Sequence, residues 1–479
     1  MNVHRVHVAV VGAGVSGLCA ACYAEKRAGA GKVLVLEQAG EPGGCARSDR
    51  VDEFILDQGP NGFLDREPQM LEWIDDLGLT NELTPANESA ARRFILKGGK
   101  LHELVGPPRF LASSVLSPTG RMRLLMEPFI KPRVDEAAET IHDFASRRIG
   151  AEAAETLVGP MVSGVFAGDA RALSVEHCFP RLVALEREHG GLFRGMLAKR
   201  RERRNDGKTP GSAMGPGGVL TTFRDGVGRL AEHAAEQLSG RIRFDTTITR
   251  IEPERSASPA DPGSKSNGSG FVLTCSDGEV IHADNVILAC PAYAAAAMMR
   301  GWRPEAAYAL DAIPYAGLVV VCTAYRESQV LHSMDGFGFL VPRREGMRAL
   351  GCIWTSSLFP HQAPPGWVLL RTMVGGYRDG DAVTLTDREL VDLVSREVHP
   401  VLGVDAVPSV TRVYRYRKAI PQYTMGHGER LRVIEDLEDE VPGLAFAGNA
   451  YRGVGLNDTV VAARRAVDRL PLTGAKATP

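Results

Sequence analysis

The residues Val11-Gly12-Ala13-Gly14-Val15-Ser16-Gly17 form a G-x-G-x-x-G turn between an apolar run, VHVAVV at 6–11, and a small-residue helical stretch at 15–28. In such a turn Gly12 permits the tight reversal, Gly14 leaves room for a pyrophosphate, and Gly17 lets helix and strand pack closely. The helix start adds free N–H groups and the positive end of its dipole. Glu37 stands twenty residues beyond Gly17, closing a second apolar run, VLVLE at 33–37. A carboxylate there accepts hydrogen bonds from ribose hydroxyls and repels a 2′-phosphate. Strand, glycine turn, helix and strand make a βαβ unit, so a bound dinucleotide is expected. The glycines alone do not choose between FAD and NAD. No second such turn follows: GPGGVL at 215–220 fails at Leu220, and DGKT at 206–209 lacks the upstream glycine of a phosphate loop.

These residues must be positioned by more than one domain. A chain of 479 residues exceeds one comfortable core. Segments such as DEAAETIHDFASRRI and PRLVALEREHGGLFRGMLAKRRER, within 134–204, predict helices. Strands are expected at 241–251, 271–289, 316–325, 336–342 and 347–354, with a helix near 386–398 and a final strand, LAFAGN, before a helix from Leu456. The stretch PERSASPADPGSKSNGSG, rich in Pro, Gly and Ser, reads as a surface loop. The nucleotide fold is therefore assembled from separated pieces. The expected division is 1–75, 222–300 and 405–479 for a dinucleotide-binding, Rossmann-type α/β domain. An α+β, sheet-containing substrate domain takes 76–108 and 301–404, and a mainly helical inserted domain takes 109–221.

Composition narrows the function classes. A formal net charge of -2 gives no electrostatic case for nucleic acid. No run of about 18 apolar residues occurs, so no spanning helix is expected. The start, MNVHRVHVAVVGAG, lacks the sections of a signal peptide, which points to a cytoplasmic protein. The eight cysteines are scattered through apolar segments and read as reduced, buried thiols. Cys19 and Cys22 make a C-x-x-C inside the first helix, with no second pair or histidine to complete a metal set. Core packing is the better reading, and no metal is expected.

Beyond the turn, Glu41-Pro42-Gly43-Gly44 and Arg47 resemble the fingerprint of the flavin amine-oxidase superfamily. So do DTTITRIEP around Ile248, VILACP, and GNAYRGVG at 448–455. That resemblance implies FAD. It assigns Gly12, Gly14, Val15, Ser16, Gly17, Glu37, Gln38, Gly43, Gly44, Arg47, Gly59, Pro60, Asn61, Ile248, Gly448, Asn449, Gly453, Val454 and Gly455 to the cofactor. Over essentially its whole length the chain looks like the oxygen-dependent protoporphyrinogen oxidase family. The carriers are GPNGFL at 59–64, ARRF leading into KGGKLHEL, GVFAGD at 164–169, GFGFLVP at 336–342, SSLFP at 356–360, IPQY at 420–423 and GNAYRGVGLND at 448–458. The resemblance implies a six-electron oxidation of a porphyrinogen in heme biosynthesis, with molecular oxygen as acceptor and hydrogen peroxide as product. It implies Arg93 as propionate anchor, Phe359 and Leu340 around the macrocycle with Phe339 beside them, and Asn61 near the reacting carbon and the flavin. A planar guanidinium holds a carboxylate through two bonds, so Arg suits the anchor better than Lys.

Plainer roles stand beside these: core packing for Phe359 and Leu340, a solvated surface for Arg93, whose neighbour is Arg92, and a turn for Asn61. Coproporphyrinogen III, with four propionates rather than two, is the alternative substrate. Another flavin amine oxidase or desaturase, or a tetrapyrrole carrier without turnover, are further readings. Against covalent-flavin amine oxidases, no cysteine follows Cys352. The basic run Lys199–Arg204 and the apolar Met126–Ile130 leave room for peripheral contact with the inner face of the cytoplasmic membrane, and a homodimer is equally open.

Overall fold

The computed structural model describes residues 4–105, 113–133, 135, 137–205, 218–254 and 270–472. The phosphate-loop remnant at 206–209 and nearly all of the Pro-, Gly- and Ser-rich loop lie outside them.

The first apolar runs become central parallel strands. His4–Val11 pairs with Val33–Leu36 on one side and Val280–Leu288 on the other. All four residues of Val33–Leu36 are buried, as expected of a strand covered on both faces. Ile242–Arg243 extends one edge, while Phe271–Cys275 and Ile248–Pro253 extend the other. Leu444–Phe446 adds to the top of Val280–Leu288. Seven strands from three distant parts of the chain thus form one sheet. Helices Val15–Ala28 and Leu456–Arg469 pack together against it through Leu18, Ala21, Val460, Ala463 and Val467. Cys19 belongs to this core, and burial raises its thiol pKa well above the usual value.

A second seven-stranded sheet runs Val410–Pro421, Tyr315–Arg326, Trp367–Gly375, Ala349–Trp354, Gly338–Leu340, Phe94–Lys97, Lys100–Glu103. One face is covered by Asp387–Glu397 and His399–Leu402 through Leu390, Leu393, Val398 and Leu402. The other carries Val320, Cys322 and Leu369, packed on Phe54 and Leu56 of the nucleotide half. The strand Val410–Pro421 corrects the expected division, which put all of 405–479 with the first sheet. Its charged and aromatic alternation, VTRVYRYRK, marks an edge strand but not which sheet it joins. It pairs with Tyr315–Arg326 and turns Tyr414 to Asp49, at 2.8 Å.

The inserted segment is helical, with Pro118–Leu125, Ile141–Ile149, Gly159–Phe166, Pro180–His189 and Leu192–Asn205. It ends sooner than expected, since Leu220–Phe223 is a strand beside Phe63–Leu64 and Leu83–Pro85. An ion network closes the bundle. Arg148 and Glu127 are both fully buried; Arg148 Nε donates to Glu127 at 2.9 Å, and Arg148 also reaches Glu186. Glu127 accepts the Leu192 N–H at 2.7 Å as well, so three helical segments share one carboxylate.

Candidate cofactor and substrate site

The glycine turn has the geometry its spacing implies. Gly12 has φ +108°, in the region that favours glycine, and its N–H donates to Leu36 O at 2.8 Å. A Cβ on Gly17 would lie 1.9 Å from the Gly12 carbonyl oxygen, so the close helix–strand approach requires glycine there. A Cβ on Gly14 would meet nothing within 4 Å: open space sits above the helix start. No side chain caps that start and no acid lies in its first turn, which leaves N–H groups of Val15, Ser16 and Gly17 for an anion. Ser16 donates to Thr459 O at 3.1 Å, fixing this end to the C-terminal helix. Gly43 N–H donates to Ala13 O at 2.8 Å, and Gly43 and Gly44 both take positive φ, bringing their loop over the turn.

Glu37 closes the pocket's far side. Its Oε2 accepts the Ala13 N–H at 2.6 Å and its Oε1 the Ala39 N–H at 2.8 Å. Each oxygen keeps a lone pair for a ribose hydroxyl. Gln38 beside it is exposed, and Ile248 is buried at the start of its strand. Arg47 pairs with Glu41 while its own Nε is buried without a partner.

The C-terminal turn 448–455 is clasped from behind. The Tyr423 hydroxyl donates to Asn449 O at 2.5 Å and accepts the Gly453 N–H at 2.7 Å. His427 Nε2 lies 3.0 Å from Tyr451 O, so this nitrogen carries the proton. Burial holds His427 down at about 4 and pushes the Tyr423 hydroxyl far above its ordinary value. Gly448 and Gly453 take φ of +118° and +119°. Gly455 donates to Asp458 at 3.0 Å, and Val454 packs on the helical segment. Asn457 Nδ2 donates to Leu64 O at 2.8 Å, joining this turn to the Gly59–Leu64 segment.

That segment lies where the two sheets face each other. A Cβ on Gly59 would lie 2.1 Å from Cys45 O, so the 58–61 turn rests on the glycine-rich loop. Pro60 and Asn61 are half-buried, and Asn61 Nδ2 is buried with no partner. The orphaned Asn61 and Arg47 donors, the open cradle over Gly14 and the uncapped helix start all fit a large, polar, anionic cofactor.

Alternation on the second sheet sorts the expected substrate residues. Leu340 and Ile95 are paired and share one face, with Arg93 two residues before Ile95. Leu340 reaches helix Gly159–Phe166: its methyl sits 2.7 Å from where a Gly164 Cβ would be, so the helical segment roofs this strand. Arg93 is open to solvent yet walled by protein, which lowers its pKa, and its guanidinium lies 5.2 Å from the Phe337 ring centre. Arg92 is paired with Glu103 and Asp335. Phe339 is corrected: it faces the opposite way from Leu340, 3% exposed in the core beneath the sheet. Phe359 is 0% exposed, in a small core with Leu358 and Ala86 against which Phe337 and Ile353 pack. It supports the wall rather than forming its surface. Tyr423 ends the IPQY segment but the resemblance assigns it no role, and His427 and Arg371 carry no distinctive spacing. The only signal for Arg371 is one arginine inside an otherwise apolar strand, WVLLRTMVG.

A family profile described as flavin containing amine oxidoreductase matches residues 15–471. The chain is 28% identical to coproporphyrinogen III oxidase of Bacillus subtilis, covering 98% of each chain. It is 31% identical to protoporphyrinogen oxidase 2 of Arabidopsis thaliana, covering 96% of this chain and 93% of that one. A crystal structure from Exiguobacterium sp. 255-15, provisionally named a protoporphyrinogen oxidase, superposes with a TM-score of 0.79 at 26% identity over 98% of both chains. Reduced UDP-galactopyranose mutase, at 16% identity and a TM-score of 0.71, shares the fold.

Proposed function

From the premise that the chain belongs to the flavin containing amine oxidoreductase family and is an FAD-dependent oxidase, we propose that it oxidises a porphyrinogen to the porphyrin. FAD supplies a two-electron acceptor, regenerated by oxygen. Three such steps remove six electrons and six protons, consume three oxygen molecules and yield three of hydrogen peroxide. Relatives of both kinds are matched; sequence alone ranks protoporphyrinogen IX before coproporphyrinogen III, and the arginine row described below reverses that order.

The observation that carries this reading is Arg93. It is a partly desolvated guanidinium on the sheet face that bears Ile95 and Leu340, the latter roofed by a helix. Arg93 binds a propionate, Leu340 contacts the apolar ring, and the Asn61 amide directs its unpartnered N–H toward the flavin side. The fold holds ring and cofactor together and keeps water out, which is most of what a hydride transfer needs. The yellow protein, given either porphyrinogen in air, should generate porphyrin fluorescence faster than autoxidation. No acceleration with either substrate ends the proposal. Arg93→Ala should raise KM with little change in FAD content.

A membrane contact is proposed for the helical segment. Met122, Leu125, Met126, Phe129, Met196 and Leu197 are exposed there, Phe129 by 76%, with Lys199 and Arg201 on the same helix as the last two. Among the described residues no helix is long and apolar enough to cross a membrane. Apolar side chains beside cations suit an anionic interface. Sedimentation with anionic vesicles, lost in Phe129→Ser, tests it; a dimer in ultracentrifugation with no vesicle binding would assign the face to self-association instead.

A further inference from the structure

A buried arginine, Arg371, shares the sheet face of Arg93. Arg371 pairs with Ile353 across the strands Trp367–Gly375 and Ala349–Trp354, and Ile353 pairs with Gly338. The next residue, Phe339, pairs with Phe94, so the row through Gly338 continues to Arg93. Paired residues share a face. Arg371, Ile353, Gly338 and Arg93 therefore form one line across four strands, three steps of about 4.8 Å that separate the outer Cα atoms by about 14 Å.

Arg371 is 5% exposed. One terminal nitrogen donates to the carbonyl oxygen of Gly59, next to Pro60 and Asn61. Its Nε is buried with no partner, and no carboxylate among the described residues lies within ion-pair distance. Its paired neighbour on the other side is Cys322. Arg148, which is fully enclosed, is treated differently: it is matched by Glu127 and Glu186. A guanidinium withdrawn from water without a counter-anion is costly, so the missing anion is the informative feature.

Resting on the porphyrinogen reading above, we propose that Arg371 is a second carboxylate subsite, at the opposite end of the row from Arg93. A tetrapyrrole engaging both must carry acid arms on opposite edges. Coproporphyrinogen, with one propionate on each pyrrole, does. Protoporphyrinogen has its two propionates on adjacent pyrroles along one edge and engages only one end. The substrate is thus the tetracarboxylate, and Arg371 is the residue that selects it.

The test compares kcat/KM on both porphyrinogens for the wild-type holoenzyme, Arg371→Met and Arg371→Lys, with FAD content measured for each. The wild type should prefer coproporphyrinogen. Arg371→Met should lose about tenfold or more on it, through KM, and change less than about threefold on protoporphyrinogen, as removal of one desolvated anchor predicts. Arg371→Lys should recover part of the loss. An active wild type that prefers protoporphyrinogen overturns the proposal whether or not the variants fold. Equal losses on both substrates, or loss of FAD, would make Arg371 a tether for Gly59 and overturn it too. A wild type inactive on both substrates would instead remove the porphyrinogen reading itself.

Discussion

Tyr423 and His427 lie ring on ring, their centroids 4.3 Å apart and their planes 17° from parallel. Each points a polar atom at the 448–455 turn, so one stacked pair holds that turn at Asn449, Tyr451 and Gly453. Both rings are fully enclosed.

Tyr423→Phe keeps the stack and removes the bonds to Asn449 and Gly453. Leaving two half-buried backbone groups without that partner costs up to about 1–3 kcal/mol each. If the turn closes around the flavin, FAD affinity should fall by about tenfold or more, read by fluorescence titration of deflavinated protein. Unchanged affinity would show that the turn holds its shape without the hydroxyl.

His427 makes stability depend on pH. Its folded pKa, about 4, lies below the ordinary 6.5, so the unfolded chain binds the proton more readily. The stability present above pH 6.5 is lost as pH falls toward 4, by about 3 kcal/mol in total from this group. Burial lowers His177, against the same ring, in the same direction. Denaturant unfolding at pH 7.5 and pH 4.5 should show the drop, and His427→Gln should shrink it.

Two glycines of one turn should separate folding from binding. Gly17→Ala places a methyl 1.9 Å from Gly12 O and should yield little soluble protein. Gly14→Ala meets nothing, so the apoprotein should fold with near-normal circular dichroism yet purify without yellow colour. Full FAD in Gly14→Ala would contradict a phosphate over that position.

Glu127→Gln leaves the Arg148 charge buried and half paired. Breaking such a pair costs about 3–5 kcal/mol. The loss should concentrate in the helical segment, seen as faster amide exchange in Ile141–Ile149 and Leu192–Asn205 while the first sheet stays protected.

The nucleotide half was largely legible because its chemistry is local: Gly12, Gly14, Gly17 and Glu37 act within one βαβ unit. The substrate half was not, because its geometry depends on pairing between distant strands. Phe339 and Leu340 are neighbours in GFGFLVP, and only the register with Phe94 and Ile95 tells which one faces the site. Arg371 gains meaning only once Ile353 and Gly338 align it with Arg93. The Val410–Pro421 strand was misassigned for the same reason, since an edge strand's own residues do not name its partner.

The interleaving of the first sheet also sets a schedule for synthesis. His4 pairs with Ile281, and the sheet is completed only by Leu444–Phe446. At translation rates of about 5–20 residues per second, the first strand waits on the order of tens of seconds for its second neighbour, Val280–Leu288. The exposed edges of VHVAVV and VLVL are open to wrong partners throughout that interval.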